Sequence, residues 1–298
     1  SAASDVYKRQ PTYNKEEYIS RLNRLPNVIE MPYNDVVQKF IDLYCGKLRN
    51  SVSYMLGANN FYIPIFEEAL ESYQLPLELK YLPIIESALN PNATSHAGAA
   101  GLWQFMPATG REFGLEVNEN VDERYHIEKA TVAACKYFKQ AYAKYGDWMA
   151  VSAAYNAGQG RISSQLDQQL ASHAMDLWLV EETSRYMFRI LAAKEIFNNP
   201  QRYGFLLKRE HLYPPIPYKK VTVSTSINDL NDYAKSQGIT YAQLRDANPW
   251  LRDTSLRNKT GKTYTLYIPT QEGMYYDPKK TEAYNCLLYT SPSPRDGL

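Results

Sequence analysis

The sequence predicts a mainly helical domain followed by a small βααβ module. Three observations carry this. Apolar residues recur at helical spacing from about Pro32 to Ala193. The run Pro214-Pro215-Ile216-Pro217 is then a stiff linker through which no helix continues. After it, two alternating, β-branched segments flank two short helical ones.

The elements follow in order. Val36, Phe40, Leu43 and Tyr44 share one helix face. Residues 77–87 (LELKYLPIIES) form a helix with Pro76 suited to its first turn. The internal Pro83 predicts a kink, or a helix that begins only there. Ala130, Ala133, Ala134, Tyr137, Phe138, Ala141, Tyr142 and Tyr145 mark a further helix. Residues 149–155 are apolar nearly all round and predict a buried helix, ended by Gly158 and Gly160. Residues 181–195 form another. Beyond the linker come a strand at 218–225, helices at 227–236 and 241–247, and a strand at 262–269. A unit of roughly 50 residues with that order reads as a small independent module.

Composition excludes several function classes. The 298 residues carry 33 Lys+Arg against 32 Asp+Glu, so neither a basic nucleic-acid binder nor an acidic disordered tail fits. Hydrophobic residues make up 44%, too many for disorder. No stretch approaches the roughly 18 apolar residues of a membrane span. The 26 Tyr against 9 Phe suit wet, sugar-like ligands, although Tyr is also a common surface and strand residue. His96, His126, His173 and His211 are scattered, and no CxxC occurs, so no metal or cofactor is expected.

The ends break from this pattern. Residues 1–10 (SAASDVYKRQ) and 286–298 (CLLYTSPSPRDGL) resemble adapter-derived read-through and read as a non-native leader and tail. Native disordered tails are the alternative. Of the remaining cysteines, Cys135 lies in an Ala-rich helical run and reads as a buried apolar residue. A Cys45–Cys135 disulfide in an oxidising compartment stays open.

The chemistry lies in residues 86–110, ESALNPNATSHAGAAGLWQFMPATG. Glu86 follows the apolar run Tyr81-Leu82-Pro83-Ile84-Ile85, and burial there disfavours the charged carboxylate. A general acid needs that environment to stay protonated near neutral pH. Gly98 and Gly101 let backbone approach a ligand closely. Ser87, Ser95 and Gln104 add short hydrogen-bonding groups. Without context, a Glu before a Gly-rich loop is an ordinary solvated turn.

The context is a set of ordered blocks. Glu86-Ser87 is followed by Pro91-Asn92-Ala93-Thr94-Ser95 and by Gly98-Ala99-Ala100-Gly101-Leu102-Trp103-Gln104. Then come Ala154-Tyr155-Asn156-Ala157-Gly158, Glu182-Thr183 and Tyr186. These blocks resemble the lytic transglycosylases of the goose-type-lysozyme superfamily, the SLT domain. Trp103 and the run Phe105-Met106-Pro107-Ala108-Thr109-Gly110 look like the D branch of the membrane-bound members. The C-terminal module resembles a LysM domain. The resemblance spans most of residues 32–270. It implies a helical, lysozyme-like catalytic domain with N-terminal helices at 11–213, a linker at 214–217, a LysM-like module at 218–270 and a tail at 271–285.

The resemblance also implies the chemistry. The substrate is peptidoglycan, cleaved between N-acetylmuramic acid and N-acetylglucosamine. Ordinary glycosidases use two carboxylates, whereas this family carries one, here Glu86. The substrate's own C6 hydroxyl attacks, leaving a 1,6-anhydro-muramoyl end. By position, Ser95 hydrogen-bonds near the reacting sugar, Gln104 and Asn156 contact acetamido or hydroxyl groups, and Tyr155 and Tyr186 flank the cleaved bond. Glu182 lies in the groove or serves as a helix-start carboxylate. Ser87 binds substrate or merely caps and packs. Trp103 reads as core or groove wall.

Two other readings compete. A goose-type lysozyme that hydrolyses with water needs a second carboxylate, for which Asp122 and Asp147 are the nearest acidic residues. A non-enzymatic wall-binding scaffold has no physical need for intact Glu86, Gln104 and residues 154–158. The expected partners are peptidoglycan strands, with N-acetylglucosamine-containing glycan at the LysM-like module, and the expected state is a monomer. That module is a single copy whose first strand leads into Ser224-Thr225-Ser226, so a spacer role competes with binding. The compartment implied is the bacterial envelope, periplasmic and often lipid-anchored.

Overall fold

The computed structural model describes residues 35–146, 148–157, 181–208, 211–212 and 218–270. The leader at 1–10, Gly158, Gly160, the Pro214–Pro217 linker and the tails at 271–298 lie outside the described residues. Helix follows helix from α1 (Asp35–Cys45) and α2 (Arg49–Ser72) to α3 (Leu82–Ser87) and α4 (Pro107–Glu112). Then come α5 (Ile127–Tyr145), α6 (Trp148–Ala157) and α7 (Glu181–Asn198). The C-terminal module is β1 (Tyr218–Val223), α8 (Leu230–Ser236), α9 (Tyr241–Ala247) and β2 (Tyr264–Pro269). This is the mainly helical architecture plus a βααβ module that the patterning predicts. No helix among the described residues is long and apolar enough to cross a membrane.

Two compact units result, and they do not follow sequence order. One joins residues 35–88 to residues 135–212; the other joins Leu89–Ala134 to the module.

In the helical unit, α1 buries Val37, Phe40, Ile41 and Tyr44 and packs on α2 and α7. Periodicity alone does not delimit α2, because its buried face includes Asn59, Asn60 and Glu67, and Pro64 sits inside it. An interior Pro costs about 3 kcal/mol. Burial of Val52, Met55, Leu56, Ile63, Phe66 and Leu70 along the same helix offsets that. The predicted helix at 77–87 is two pieces, a 3-10 turn at Leu77–Tyr81 and then α3, with Pro83 in the first turn of α3. Pro83 therefore starts a helix rather than kinking one. Two ion pairs lie under this junction: Lys80 Nζ is 2.8 Å from Glu67, and Lys194 Nζ is 3.8 Å from the buried Glu78. Burial raises the Glu78 carboxyl, and the charge of Lys194 acts against that. Helix α7 packs on α3 and α6.

In the other unit, β1 and β2 pair antiparallel, Tyr218 opposite Pro269 and Val223 opposite Tyr264. Tyr264, Leu266 and Ile268 alternate inward along β2. Helix α8 starts three residues later than its apolar pattern because Asp229 caps it, accepting from the Asn231 N–H at 2.8 Å. Helix α9 has a full capping box, Thr240 with Gln243. The module's core of Leu230, Ala234, Leu244, Trp250, Leu251, Leu256, Leu266 and Ile268 is continuous with Ala100, Val121 and Tyr125.

Candidate active site

Glu86 stands in the last turn of α3 and is half-buried. The helix ends abruptly after it. Ala88 is left-handed at φ 50°, and its N–H returns to the Ile84 carbonyl at 3.1 Å. Leu89 follows at φ 55°. Two successive non-glycine residues in that region cost about 1–2 kcal/mol each. The complete burial of Leu89 is what overrides the cost there. Ser87 is buried, and its hydroxyl donates to the Pro83 carbonyl at 2.8 Å. It thus has a helix-terminal bonding role, the capping alternative in the sequence reading.

Tyr155, on α6, is half-buried. Its ring meets Tyr137 edge-on at 5.2 Å and Phe138 at 5.5 Å. Burial, and then the negative charge of Glu86, hold its phenol well above the usual value. Tyr155 is therefore a neutral O–H group whose energy depends on the charge of Glu86. Asn156, next on the same helix, is exposed. Glu182 and Tyr186 fall on α7, which packs against both α3 and α6; their side chains lie outside the described residues, as does Asp147.

Ser95 and Gln104 belong to the other unit. Ser95 and Ala99 close a tight reversal: Ser95 N–H donates to the Ala99 carbonyl at 2.9 Å, and the Ser95 hydroxyl accepts from Ala99 N–H at 3.0 Å. Ser95 is exposed. Gln104 adopts φ 51°, and its amide Nε2 donates to the Ala93 and Gly101 carbonyls at 3.1 and 2.8 Å. Its NH₂ group therefore ties the loop together. Trp103 is wholly buried and donates from Nε1 to Thr131 Oγ1 at 3.0 Å, so it is core.

Arg124 escapes sequence reasoning. Its buried guanidinium grips Asp122 at 3.0 and 2.8 Å and donates from Nη1 to the Gly98 and Phe105 carbonyls at 2.7 and 2.9 Å. The sole cue in the text is the run Asp122-Glu123-Arg124. A β-carbon on Gly101 would fall 1.9 Å from the Arg124 carbonyl oxygen, whereas one on Gly98 would meet nothing within 4 Å. Gly101 thus serves close approach of protein backbone, not only of ligand. The Asp122 carboxylate accepts from Arg124 on both oxygens and from its backbone N–H.

Cys45 and Cys135 are free thiols. Burial pushes the Cys135 thiol up to about 12. Among the described residues no three His, Cys, Asp or Glu side chains converge as metal ligands.

Comparison with known proteins adds the following. Residues 64–176 match the transglycosylase SLT domain, and residues 219–272 match the soluble lytic transglycosylase C-terminal LysM-like domain. Membrane-bound lytic murein transglycosylase D of Escherichia coli is 34% identical over 206 residues, covering 64% of this chain and 43% of that protein. A peptidoglycan transglycosylase of Escherichia phage T7 is 30% identical over 135 residues, covering 44% of this chain and 10% of the relative. The crystal structure of the 70 kDa soluble lytic transglycosylase from Escherichia coli superposes with TM-score 0.43 at 21% identity, covering 67% of this chain and 33% of that one. The chain thus spans less than half the length of the relatives it matches.

Proposed function

We propose that this chain, which carries a transglycosylase SLT domain followed by a LysM-like module, is a peptidoglycan lytic transglycosylase. Residues 11–213 supply catalysis, and residues 218–270 hold N-acetylglucosamine-containing glycan. One observation carries the reading: Glu86 stands half-buried in the last turn of α3, at the head of the ordered blocks, in a stretch that matches the transglycosylase SLT domain.

Glu86 first gives its proton to the oxygen between N-acetylmuramic acid and N-acetylglucosamine as that bond breaks. The carboxylate then takes the proton of the muramoyl C6 hydroxyl, whose oxygen bonds to the anomeric carbon. One carboxyl suffices because the nucleophile is intramolecular. The product ends in 1,6-anhydro-N-acetylmuramic acid, and Glu86 returns to its acid form. Tyr155 donates a hydrogen bond toward the acetamido group or the Glu86 carboxylate. Asn156, Ser95, Gln104, Glu182 and Tyr186 are the substrate-binding residues of this reading, with Ser87 at the end of the helix that carries Glu86. For Gln104 the carbonyl side of the amide is the substrate-facing group, since its NH₂ is engaged within the loop. The protein works as a monomer in the bacterial envelope, on the periplasmic side. Hydrolysis through Asp122 is disfavoured by its commitment to Arg124.

Purified peptidoglycan digested by the chain should release muropeptides lighter by one water than hydrolysed ends. Glu86→Gln should abolish release while leaving the circular dichroism spectrum unchanged. Full activity in that variant, or hydrolysed ends in the wild type, sinks the mechanism.

A further inference from the structure

The module is joined to residues 116–128 by more than an apolar contact. Asn120 bridges the two: its Nδ2 donates to the Ser255 carbonyl at 2.7 Å, and its Oδ1 accepts from Arg257 N–H at 2.8 Å. Its carbonyl takes the Arg252 N–H at 3.0 Å. Asp122 N–H donates to the Trp250 carbonyl at 3.0 Å, and Val121 pairs with Leu251. Around this seam, Tyr264 donates to Glu116 at 2.9 Å, Lys262 pairs with Glu116, Tyr267 donates to Glu128 at 2.8 Å, and the Arg252 guanidinium lies 4.1 Å above the Tyr125 ring. A module that only captured glycan on a tether needs none of these bonds.

The seam also leads somewhere. Asp122, whose N–H is held by the module, holds Arg124 with its carboxylate, and Arg124 holds the carbonyls of Gly98 and Phe105. Phe105 and Ala100 close the loop that contains Gln104, with Ala100 N–H donating to the Phe105 carbonyl at 3.1 Å. The Asp122, Arg124 and Phe105 links are hydrogen bonds between buried groups, where the local dielectric strengthens them, and the Gly98 link is part-buried.

We propose that the LysM-like module acts as a brace for the segment bearing Ser95, Gly98 and Gln104, and that Arg124 is the positioning residue that passes its hold to the loop. This rests on the transglycosylase reading for its catalytic consequence and on the seam alone for its mechanical part. The brace orders backbone that a substrate must meet in one geometry, a cost otherwise met at each turnover. It also makes the module an obligatory partner of catalysis, whether or not it binds glycan.

Hydrogen exchange of the full-length chain, read by mass spectrometry over residues 98–105, tests it together with lytic kinetics and retention on insoluble peptidoglycan. Asn120→Ala removes the two side-chain bonds that Asn120 makes across the seam, loosening it, and leaves the loop's own bonds intact. Arg124→Gln cuts the last link, and Arg124→Lys retains charge without the fork. Exchange at 98–105 should rise by on the order of tenfold or more in Asn120→Ala and Arg124→Gln, the loss of one or two hydrogen bonds. In both, kcat should fall more than KM rises, peptidoglycan retention should be unchanged, and Arg124→Lys should recover part of the rate. If Asn120→Ala does not fold, the milder pair Lys262→Met and Tyr264→Phe reads the same exchange. Unchanged exchange at 98–105 on cutting the seam overturns the brace, as does a loss of retention that accounts for all the lost activity. Exchange is measured without substrate, so a wild type with no lytic activity would refute the transglycosylase reading while leaving the brace to be judged by exchange.

Discussion

Replacing Gly101 by Ala puts a methyl group where the backbone of Arg124 already lies. The added carbon would sit 1.9 Å from the Arg124 carbonyl oxygen and 2.8 Å from its carbonyl carbon, while ordinary contact starts near 3.4 Å. One strand of backbone must retreat by well over an ångström. Arg124 resists, because its side chain is tied to Asp122, Gly98 and Phe105. Gly101 also has φ +80°, a left-handed conformation that a side chain makes costly. Strain of about 1–2 kcal/mol and overpacking of about 1–3 kcal/mol sum to roughly 2–5 kcal/mol. That is a large share of the ~5–15 kcal/mol that holds a typical domain together. Gly98 is the control: φ is +95° with open space around it, so Gly98→Ala costs only the ~1–2 kcal/mol of backbone strain. Urea unfolding of the full chain, followed by tryptophan fluorescence, compares the two midpoints. Equal destabilisation of both variants, within ~0.5 kcal/mol, would refute the claim that Gly101 exists for the Arg124 backbone.

His126 is buried between Trp250 and Tyr267, accepts the Lys129 N–H on Nδ1, and is driven by burial down to about 3. Its folded value lies below the unfolded one, so its stability is present above pH ~6.5 and drains away toward pH ~3, at up to about 1.4 kcal/mol per pH unit. Unfolding midpoints for His126→Asn should show a shallower acid slope than wild type, and an unchanged slope sinks this assignment. Burial raises the Glu116 carboxyl, but bonds from Lys262 and Tyr264 outweigh that and hold it below its usual value. Its contribution is therefore present above the ordinary carboxylate range and lost as pH falls through the lowered value. Glu116→Gln should be less stable than wild type at neutral pH, with the difference closing as pH falls through the lowered carboxyl value, checked by thermal melts. Iodoacetamide on the native protein should label the half-buried Cys45 well before the buried Cys135, whose thiol stays protonated. Equal labelling by peptide mass spectrometry would refute the packing of α5.

Much of the candidate site could be proposed from the linear text, for a physical reason. Glu86, Gly101, Gln104, Tyr155 and Asn156 belong to short blocks in which residue type and spacing are set by local chemistry: an acid after an apolar run, a glycine where φ must be positive, an aromatic on a buried helix. Helix and strand periods are equally local, so α1, α5, α6, α7 and the βααβ order could be read in advance. The start of α3 was one of two options at Pro83, and α8 starts three residues after its apolar pattern because Asp229 caps it. What the sequence could not decide depends on which groups the fold buries and bonds together, near or far along the chain. Gln104 carries the residue type of a substrate contact, but its NH₂ is spent on carbonyls 11 and 3 residues away. Asp122 is an acidic residue of no assigned role in the sequence, and only the structure shows its buried pairing with Arg124. The module at 218–270 was readable as an independent unit from its order of elements. Its attachment to residues 116–128 was not, since the pairing of Asn120 with Ser255 and Arg257 spans 135 and 137 residues. Local propensity determined which elements exist; burial and hydrogen bonds between distant residues decided what those elements hold in place.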